Sequence, residues 1–101
     1  MNTTKKPSKE AYVAFVTGVL RRYFPDTYKL VRKENNCIPL TSRKIAMRAN
    51  DLLCLYYILC DILQMDIIIT DVSSFRSVDS IAEMLMSYRY EDMYEAITNA
   101  I

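Results

Sequence analysis

The sequence contains no histidine, no tryptophan and only one glycine among its 101 residues. Without histidine, the chain lacks Ser-His and Cys-His nucleophile pairs, an imidazole general base and imidazole metal ligands. The one glycine, Gly18, lies inside an amphipathic stretch, so the chain has no glycine-rich loop to hold a phosphate group. A sequence with one glycine and three prolines is also a poor candidate for an all-β fold. We therefore predict a helical protein that is not an enzyme.

Long apolar runs are missing as well. The apolar stretch from Leu52 to Leu63 is interrupted by Asp61, and the run Ile67–Ile69 is far shorter than the roughly 18–20 residues of a membrane span. The first ten residues are polar and basic, unlike the apolar core of a secretion signal. We expect a soluble cytoplasmic protein that has no membrane partner.

Cysteine is also scarce. Cys37, Cys54 and Cys60 are odd in number, and no pair has the two-residue separation typical of zinc sites and redox motifs. The chain supplies too few ligands for a zinc site, so we predict no bound metal. Cys54 and Cys60 lie in an apolar helical stretch, which favours core thiols in a protein of a reducing compartment.

What the sequence does have is enough apolar residues for one core (51%) and an uneven distribution of charge. Residues 1–48 contain eleven Lys or Arg and three acidic residues, whereas residues 49–101 contain two Lys or Arg and nine acidic residues. The two parts carry formal charges of +8 and −7, although the net charge of the chain is +1. We predict a basic face and an acidic face, which serve either solubility or the binding of a partner.

Apolar residues repeat at helical spacing in two long stretches. Ser8 is suited to cap a first helix of about four turns, and this helix ends near Phe24 because proline disfavours helix at the residue before it. Residues 26–36 are polar and helical in part, and residues 37–47 form a loop. A second helix runs from about Asn50 to Met65, and its apolar residues cover so much of its surface that we expect burial on more than one side.

The elements predicted for the rest of the chain are shorter than these two helices. Residues 66–71 form an extended linker that buries Ile67 and Ile69, and residues 72–75 form a turn. Ser77 caps a further helix with Asp79 and Ser80 in its first turn, and residues 91–101 form a last short helix. The whole is an all-α four-helix bundle, with a disordered tail at residues 1–7 and a single domain at residues 8–101.

This order of elements resembles that of an acyl carrier protein, in which a first helix and a long loop precede a second helix that starts at a phosphopantetheinylated serine. The stretch Leu52–Ile67 is similar to that second helix and the isoleucine after it, and Phe75–Leu85 is similar to the start of the last helix. More narrowly, Pro39–Thr41 and Ile45–Leu52 resemble the acyl-carrier-related proteins of bacterial peptide maturation systems. The resemblance implies an acyl-carrier-protein-like four-helix bundle with an N-terminal extension.

At the position of the carrier serine, the sequence departs from that family. Alignment through Leu59, Leu63 and Ile67 puts Ala49 at the attachment point and Arg48 at the place of the preceding aspartate. Alanine has no hydroxyl that could carry a phosphodiester-linked arm, so we expect no cofactor. The resemblance then implies a non-catalytic interaction or scaffold protein in bacterial peptide maturation.

Two alternatives remain open. One is a functional acyl or peptidyl carrier protein whose 4′-phosphopantetheine arm is attached to Ser42 or Ser80, because Asp79-Ser80-Ile81 is close to the carrier motif Asp-Ser-Leu. We expect Asp79 and Ser80 to belong instead to the first turn of a core helix. The other is a small helical module that binds nucleic acid through its basic residues, which the acidic half of the chain disfavours.

Candidate partner-binding residues surround the start of the second predicted helix. Carrier proteins usually present an acidic second helix, whereas here a basic segment precedes the helix. We therefore expect a protein or peptide partner with an acidic surface, such as a maturation enzyme. The predicted partner-binding residues are Arg43, Lys44, Arg48, Asp51 and Leu52.

Overall fold

The computed structural model describes residues 8–64, 66–67 and 75–88, and the statements below refer to these residues. Within them the chain forms four α-helices and no β-strand, which confirms the predicted all-α class and is compatible with a helical bundle. The helices are α1 (Lys9–Tyr23), α2 (Pro25–Lys33), α3 (Ala49–Leu63) and α4 (Val78–Met86). None of them is long and apolar enough to cross a membrane.

Several sequence-based predictions lie outside the described residues. These are the disordered tail at residues 1–7, the burial of Ile69, the turn over residues 72–74 and the short helix at residues 91–101.

Helix α1 is the amphipathic helix that the sequence predicts. It buries one apolar stripe and packs against α2 and α4. The helix ends at Tyr23, and the backbone of the next residue, Phe24, is no longer helical (φ −136°, ψ 63°). Pro25 then occupies the first turn of α2, where a missing backbone N–H leaves no helical hydrogen bond unmade. The proline that ends α1 therefore also begins α2, in the segment expected to be partly helical.

Helix α3 is shorter than predicted, and its outward side is open. It ends at Leu63, because Gln64 adopts a left-handed conformation (φ 54°) instead of continuing toward Met65. Its buried residues are Leu55, Tyr56, Leu59 and Leu63. Four half-buried residues also pack against the core, so burial extends over more than one side of α3: Leu52, Ile58, Cys60 and Ile62. The outward side stays open, since Leu53 and Tyr57 are 39% and 60% exposed.

Of the two cysteines predicted to be core thiols, Cys60 packs against the core and Cys54 does not. Cys37 and Cys54 are exposed, Cys60 is half-buried, and all three are free thiols. Cys54 is exposed because it precedes Tyr57 by three residues, which places the two on the same outward side of α3.

Two residues that follow α3, Ile67 and Phe75, contact the buried side chain of Tyr56. Its hydroxyl donates a hydrogen bond of 2.7 Å to the carbonyl oxygen of Ile67, and its ring meets that of Phe75 edge to face at 6.2 Å. Ile67 is buried, as predicted for the linker. Helix α4 then begins at the predicted cap, Ser77, and buries an apolar stripe against α1.

Candidate docking surface at the start of α3

The loop between α2 and α3 is held against the core by its own apolar residues. Leu40, Ile45 and Met47 are all buried. The backbone N–H of Leu40 donates to the carbonyl oxygen of Arg76 at 2.6 Å, and the N–H of Met47 donates to the carbonyl oxygen of Leu40 at 2.9 Å. The loop is therefore tied to the segment that leads into α4, which fixes the direction in which α3 begins.

A second contact joins the same loop to the first turn of α4. The backbone N–H of Asp79 donates to the carbonyl oxygen of Asn36 at 2.9 Å. The Asp79 carboxylate, 2.9 Å from the ammonium group of Lys9, also links α4 to α1. The ammonium group of Lys9 donates a hydrogen bond to the Asp79 carboxylate, and this bond raises the pKa of Lys9. Lys9 therefore stays charged.

A tight turn within the loop carries two of the predicted binding residues. The carbonyl oxygen of Ser42 accepts hydrogen bonds from the N–H groups of Ile45 (3.1 Å) and Ala46 (2.6 Å). Ala46 closes the turn in the left-handed region (φ 62°). Between these anchors, Arg43 and Lys44 are exposed on the surface.

Helix α3 starts one residue earlier than the predicted Asn50. Arg48 is the N-cap, with extended backbone, and Ala49 is the first helical residue. The carboxylate of Asp51 accepts a hydrogen bond of 2.9 Å from the backbone N–H of Arg48, the side-chain half of a capping box. The alignment with carrier proteins puts the attachment point at Ala49, and the structure has this residue exposed at the helix start.

The five predicted partner-binding residues divide into two groups. Arg43, Lys44 and Arg48 are exposed, and the ammonium group of Lys44 lies 3.3 Å from the carboxylate of Glu34. Asp51 is half-buried and caps α3, and the half-buried Leu52 packs against the core. The three cations therefore form the accessible part of the site, which we call the basic corner, while Asp51 and Leu52 hold the start of α3.

The two serines considered as alternative attachment points are both engaged or enclosed. The Ser80 hydroxyl accepts a hydrogen bond from the N–H of Ser77 (2.9 Å), and the N–H of Ser80 donates to the Ser77 hydroxyl (3.1 Å). Ser80 thus belongs to the cap of α4, as expected. The Ser42 hydroxyl oxygen is buried and has no hydrogen-bond partner among the described residues. Neither hydroxyl is presented at the start of a long helix.

Two further kinds of group could carry chemistry in the described residues: clusters of metal ligands and buried hydroxyls. No group of three or more Cys, Asp or Glu side chains there could hold a metal ion. Burial raises the pKa of the Tyr56 hydroxyl, which keeps this group protonated as the donor to Ile67.

The outward side of α3 is the surface that the sequence-based prediction missed. Leu53, Cys54 and Tyr57 are exposed there. Their spacing of three and four residues places them on one side of the helix. The sequence does not show that this side is exposed, because α3 has so many apolar residues that more than one of its sides could face the core.

Comparison of the chain with family models, curated proteins and solved structures finds no match. The functional assignment therefore rests on the residues at the start of α3 and on the surface around them.

Proposed function

We propose that this chain is a non-catalytic interaction protein related to acyl carrier proteins, which binds an acidic surface of a partner protein or peptide at the basic corner. The observation that carries the proposal is Ala49, exposed as the first residue of α3 and flanked by Arg48. In the resemblance to carrier proteins this is the place of the serine that bears the arm. Here the position offers a methyl group and a neighbouring cation instead.

The arrangement of the loop supports binding more than covalent transfer. A docking surface needs charges at fixed positions, and the loop that carries Arg43 and Lys44 is anchored by buried residues and backbone hydrogen bonds on both sides. Lys44 is paired with Glu34, and Arg43 and Arg48 add two further exposed cations at anchored backbone positions. These cations attract a carboxylate-rich surface and repel a basic one, which selects the partner by charge. The resemblance to proteins of bacterial peptide maturation suggests a maturation enzyme or its peptide substrate as that partner.

The first experiment asks whether the chain carries an arm. The protein is co-expressed with a broad-specificity phosphopantetheinyl transferase, and its intact mass is measured. We expect the unmodified mass, because the hydroxyls of Ser42 and Ser80 are enclosed or engaged in a cap. A mass raised by one phosphopantetheine group would overturn the proposal in favour of a functional carrier, and peptide mapping would then locate the serine.

The second experiment tests the basic corner directly. The chain is co-purified with each protein encoded by the neighbouring genes, and the variant R43E/K44E/R48E is compared with the matched variant K29E/R32E/K33E, which makes the same charge change on α2. We expect the first variant to weaken capture by at least about tenfold and the second to have little effect. Equal loss in both would indicate a nonspecific effect of net charge and would overturn the choice of surface.

A DNA duplex serves as the probe for the nucleic-acid alternative. Binding by the wild-type chain that weakens steeply with added salt would favour that alternative over a protein partner.

A further inference from the structure

The outward side of α3 carries two of the four large hydrophobic residues that are exposed among the described residues, Leu53 and Tyr57. Six exposed residues recur at spacings of three and four along it, and we call them the α3 face: Asn50, Leu53, Cys54, Tyr57, Asp61 and Gln64. Its centre is apolar, since Leu53 is 39% and Tyr57 60% exposed. An exposed apolar stripe on a helix that also faces the core is a candidate surface for packing against another protein.

The two ends of the α3 face carry opposite charges. Arg48 lies at the N-terminal end of α3, and the helix itself contains no Lys or Arg. At the C-terminal end, Asp61 and Asp66 border an open hollow of about 430 Å³, whose other walls are Tyr57, Cys60 and Gln64. Two carboxylates beside an aromatic ring suit a guanidinium group, which can pair with the carboxylates and stack on the ring.

We propose that two copies of this chain associate through their α3 faces in antiparallel orientation, with Arg48 of each copy in the acidic hollow of the other. A two-fold axis placed between Cys54 and Tyr57 brings position 50 of one copy opposite position 61 of the other. At 1.5 Å per residue, Arg48 then lies about 3 Å along the axis from the level of the opposing Asp61, within reach of its side chain. The apolar centres of the two faces meet between these charged ends.

A second copy fits this surface better than an unrelated protein does, because the surface is complementary to itself. Under a two-fold axis each residue contact occurs twice, so the cationic end and the acidic end of one face are both matched by the same face of a second copy. A parallel arrangement would instead set Arg48 against Arg48. Because only one short helix contributes from each side, the interface is small, and we expect a weak, reversible dimer.

Sedimentation equilibrium of the full chain tests the association, in reducing buffer of low salt and over about 10 µM to 1 mM protein. We expect the apparent mass to rise from the 11.8 kDa of one chain toward twice that value at the highest concentration. Y57K should reduce the association by at least about tenfold, since it places a cation in the apolar centre. K29E, a charge change on α2, serves as the control and should associate like the wild type.

A charge swap then tests the antiparallel pairing. R48E alone and D61K/D66K alone should both remain monomeric, because each sets like charges against each other. An equimolar mixture of the two should associate again, since both contacts in the mixed dimer join opposite charges. The recovery also shows that the variants are folded, so loss in either one alone cannot be attributed to misfolding.

Two results would overturn the proposal. One is a wild-type chain that stays at the mass of one copy at about 1 mM, which would leave the α3 face to a different protein. The other is association of the wild type that the mixture of charge variants does not restore, which would place the contact elsewhere. Y57K keeps all three cations of the basic corner and frees Arg48 from the second copy, so it should capture a partner at least as well as the wild type. Loss of association with capture retained therefore separates this inference from the proposed function.

Discussion

At the scale of single residues, Ala49 determines which chemistry the start of α3 can support. It is exposed at the first helical position of α3, directly after Arg48. If α3 corresponds to the second helix of a carrier protein, as the proposed function holds, this position lacks the serine hydroxyl that bears the arm, and the aspartate before it is missing as well. The variant R48D/A49S/N50L creates the motif Asp-Ser-Leu at this position. We expect a phosphopantetheinyl transferase to add one arm to this variant and none to the wild type, as measured by intact mass.

The control for that prediction is R48D/N50L, which has the same neighbours but keeps Ala49 and should stay unmodified. If the restored serine also stays unmodified in a variant that unfolds as cooperatively as the wild type, α3 does not correspond to the carrier helix. The alignment on which the proposed function partly rests would then be wrong.

Ser77 gives a second prediction at this scale. Its hydroxyl accepts from the N–H of Ser80 and caps α4, and the residue is only 7% exposed. S77A should lower the free energy of unfolding by about 0.5–2 kcal/mol, the usual cost of losing an N-cap. The matched change S87A removes only the hydrogen bond of an exposed hydroxyl to the carbonyl oxygen of Met84 (2.6 Å), beyond the C-terminal end of α4, and should cost less than S77A. Urea denaturation of both variants measures the difference, and equal costs would contradict the capping role.

The residues that sequence analysis located correctly are those whose roles are set by close neighbours in the chain. Ser77 could be predicted because a cap depends only on the next three residues. Asp51 was predicted to bind a partner, whereas its carboxylate caps α3 at the same spacing after Arg48, a role that the sequence analysis missed. The exposure of Cys54 and Tyr57 could not be predicted, because it depends on which stripe of α3 the rest of the fold covers. For the same reason the α3 face was not part of the predicted site.

At the scale of elements, the loop before α3 contains a backbone conformation that its sequence does not favour. Ala46 has φ 62°, a region in which a side chain crowds the backbone by about 1–2 kcal/mol, whereas glycine adopts it readily. A46G should therefore raise the free energy of unfolding by about 0.5–1 kcal/mol, as measured by urea denaturation.

An Ala-to-Gly substitution inside a helix serves as the control, because there it should lower the free energy of unfolding instead of raising it. A14G, within α1, should lower the free energy of unfolding by about 1 kcal/mol. A46G also leaves Arg43, Lys44 and Arg48 in place, so capture of a partner should not change. A loss of stability in A46G would show that the turn does not adopt this conformation in solution.

The elements themselves could be predicted to the extent that periodicity and proline determine them. The apolar stripe of α1 and the N-cap of α4 were enough to predict these two helices, and Pro25 was enough to predict where α1 ends. The end of α3 was predicted too late, since the apolar pattern continues to Met65 while the left-handed Gln64 stops the helix. Such an end depends on where the chain must turn to bury Ile67, which the pattern within α3 does not contain.

At the scale of the whole molecule, the basic N-terminal part and the acidic C-terminal part meet in direct contacts. Lys9 of α1 lies 2.9 Å from Asp79 and 3.5 Å from Glu83, both on α4. Its hydrogen bond to Asp79 raises the pKa of Lys9, and burial raises the pKa of Tyr56. Both groups therefore hold their protons more tightly in the folded chain than in the unfolded one.

These raised pKa values predict that stability falls in alkaline solution. A group whose pKa is raised by folding contributes its stabilisation fully below its unfolded pKa and loses it as the pH rises through the folded value. For Tyr56 and Lys9 the loss begins near about pH 10, where the unfolded side chains titrate. We expect the urea midpoint of the wild type to fall between about pH 8 and pH 11.

The double variant K9M/Y56F removes both groups, so it should be less stable than the wild type near neutral pH and should lose less stability as the pH rises. The difference between the two urea midpoints should therefore shrink between about pH 8 and pH 11. K29M/Y23F is the matched control, because both of its residues are exposed, and its difference from the wild type should stay constant. If K9M/Y56F keeps a constant difference as well, two contacts are not formed in solution: that of Lys9 with α4, which joins the two parts of the chain, and that of Tyr56 with Ile67, which lies within the C-terminal part.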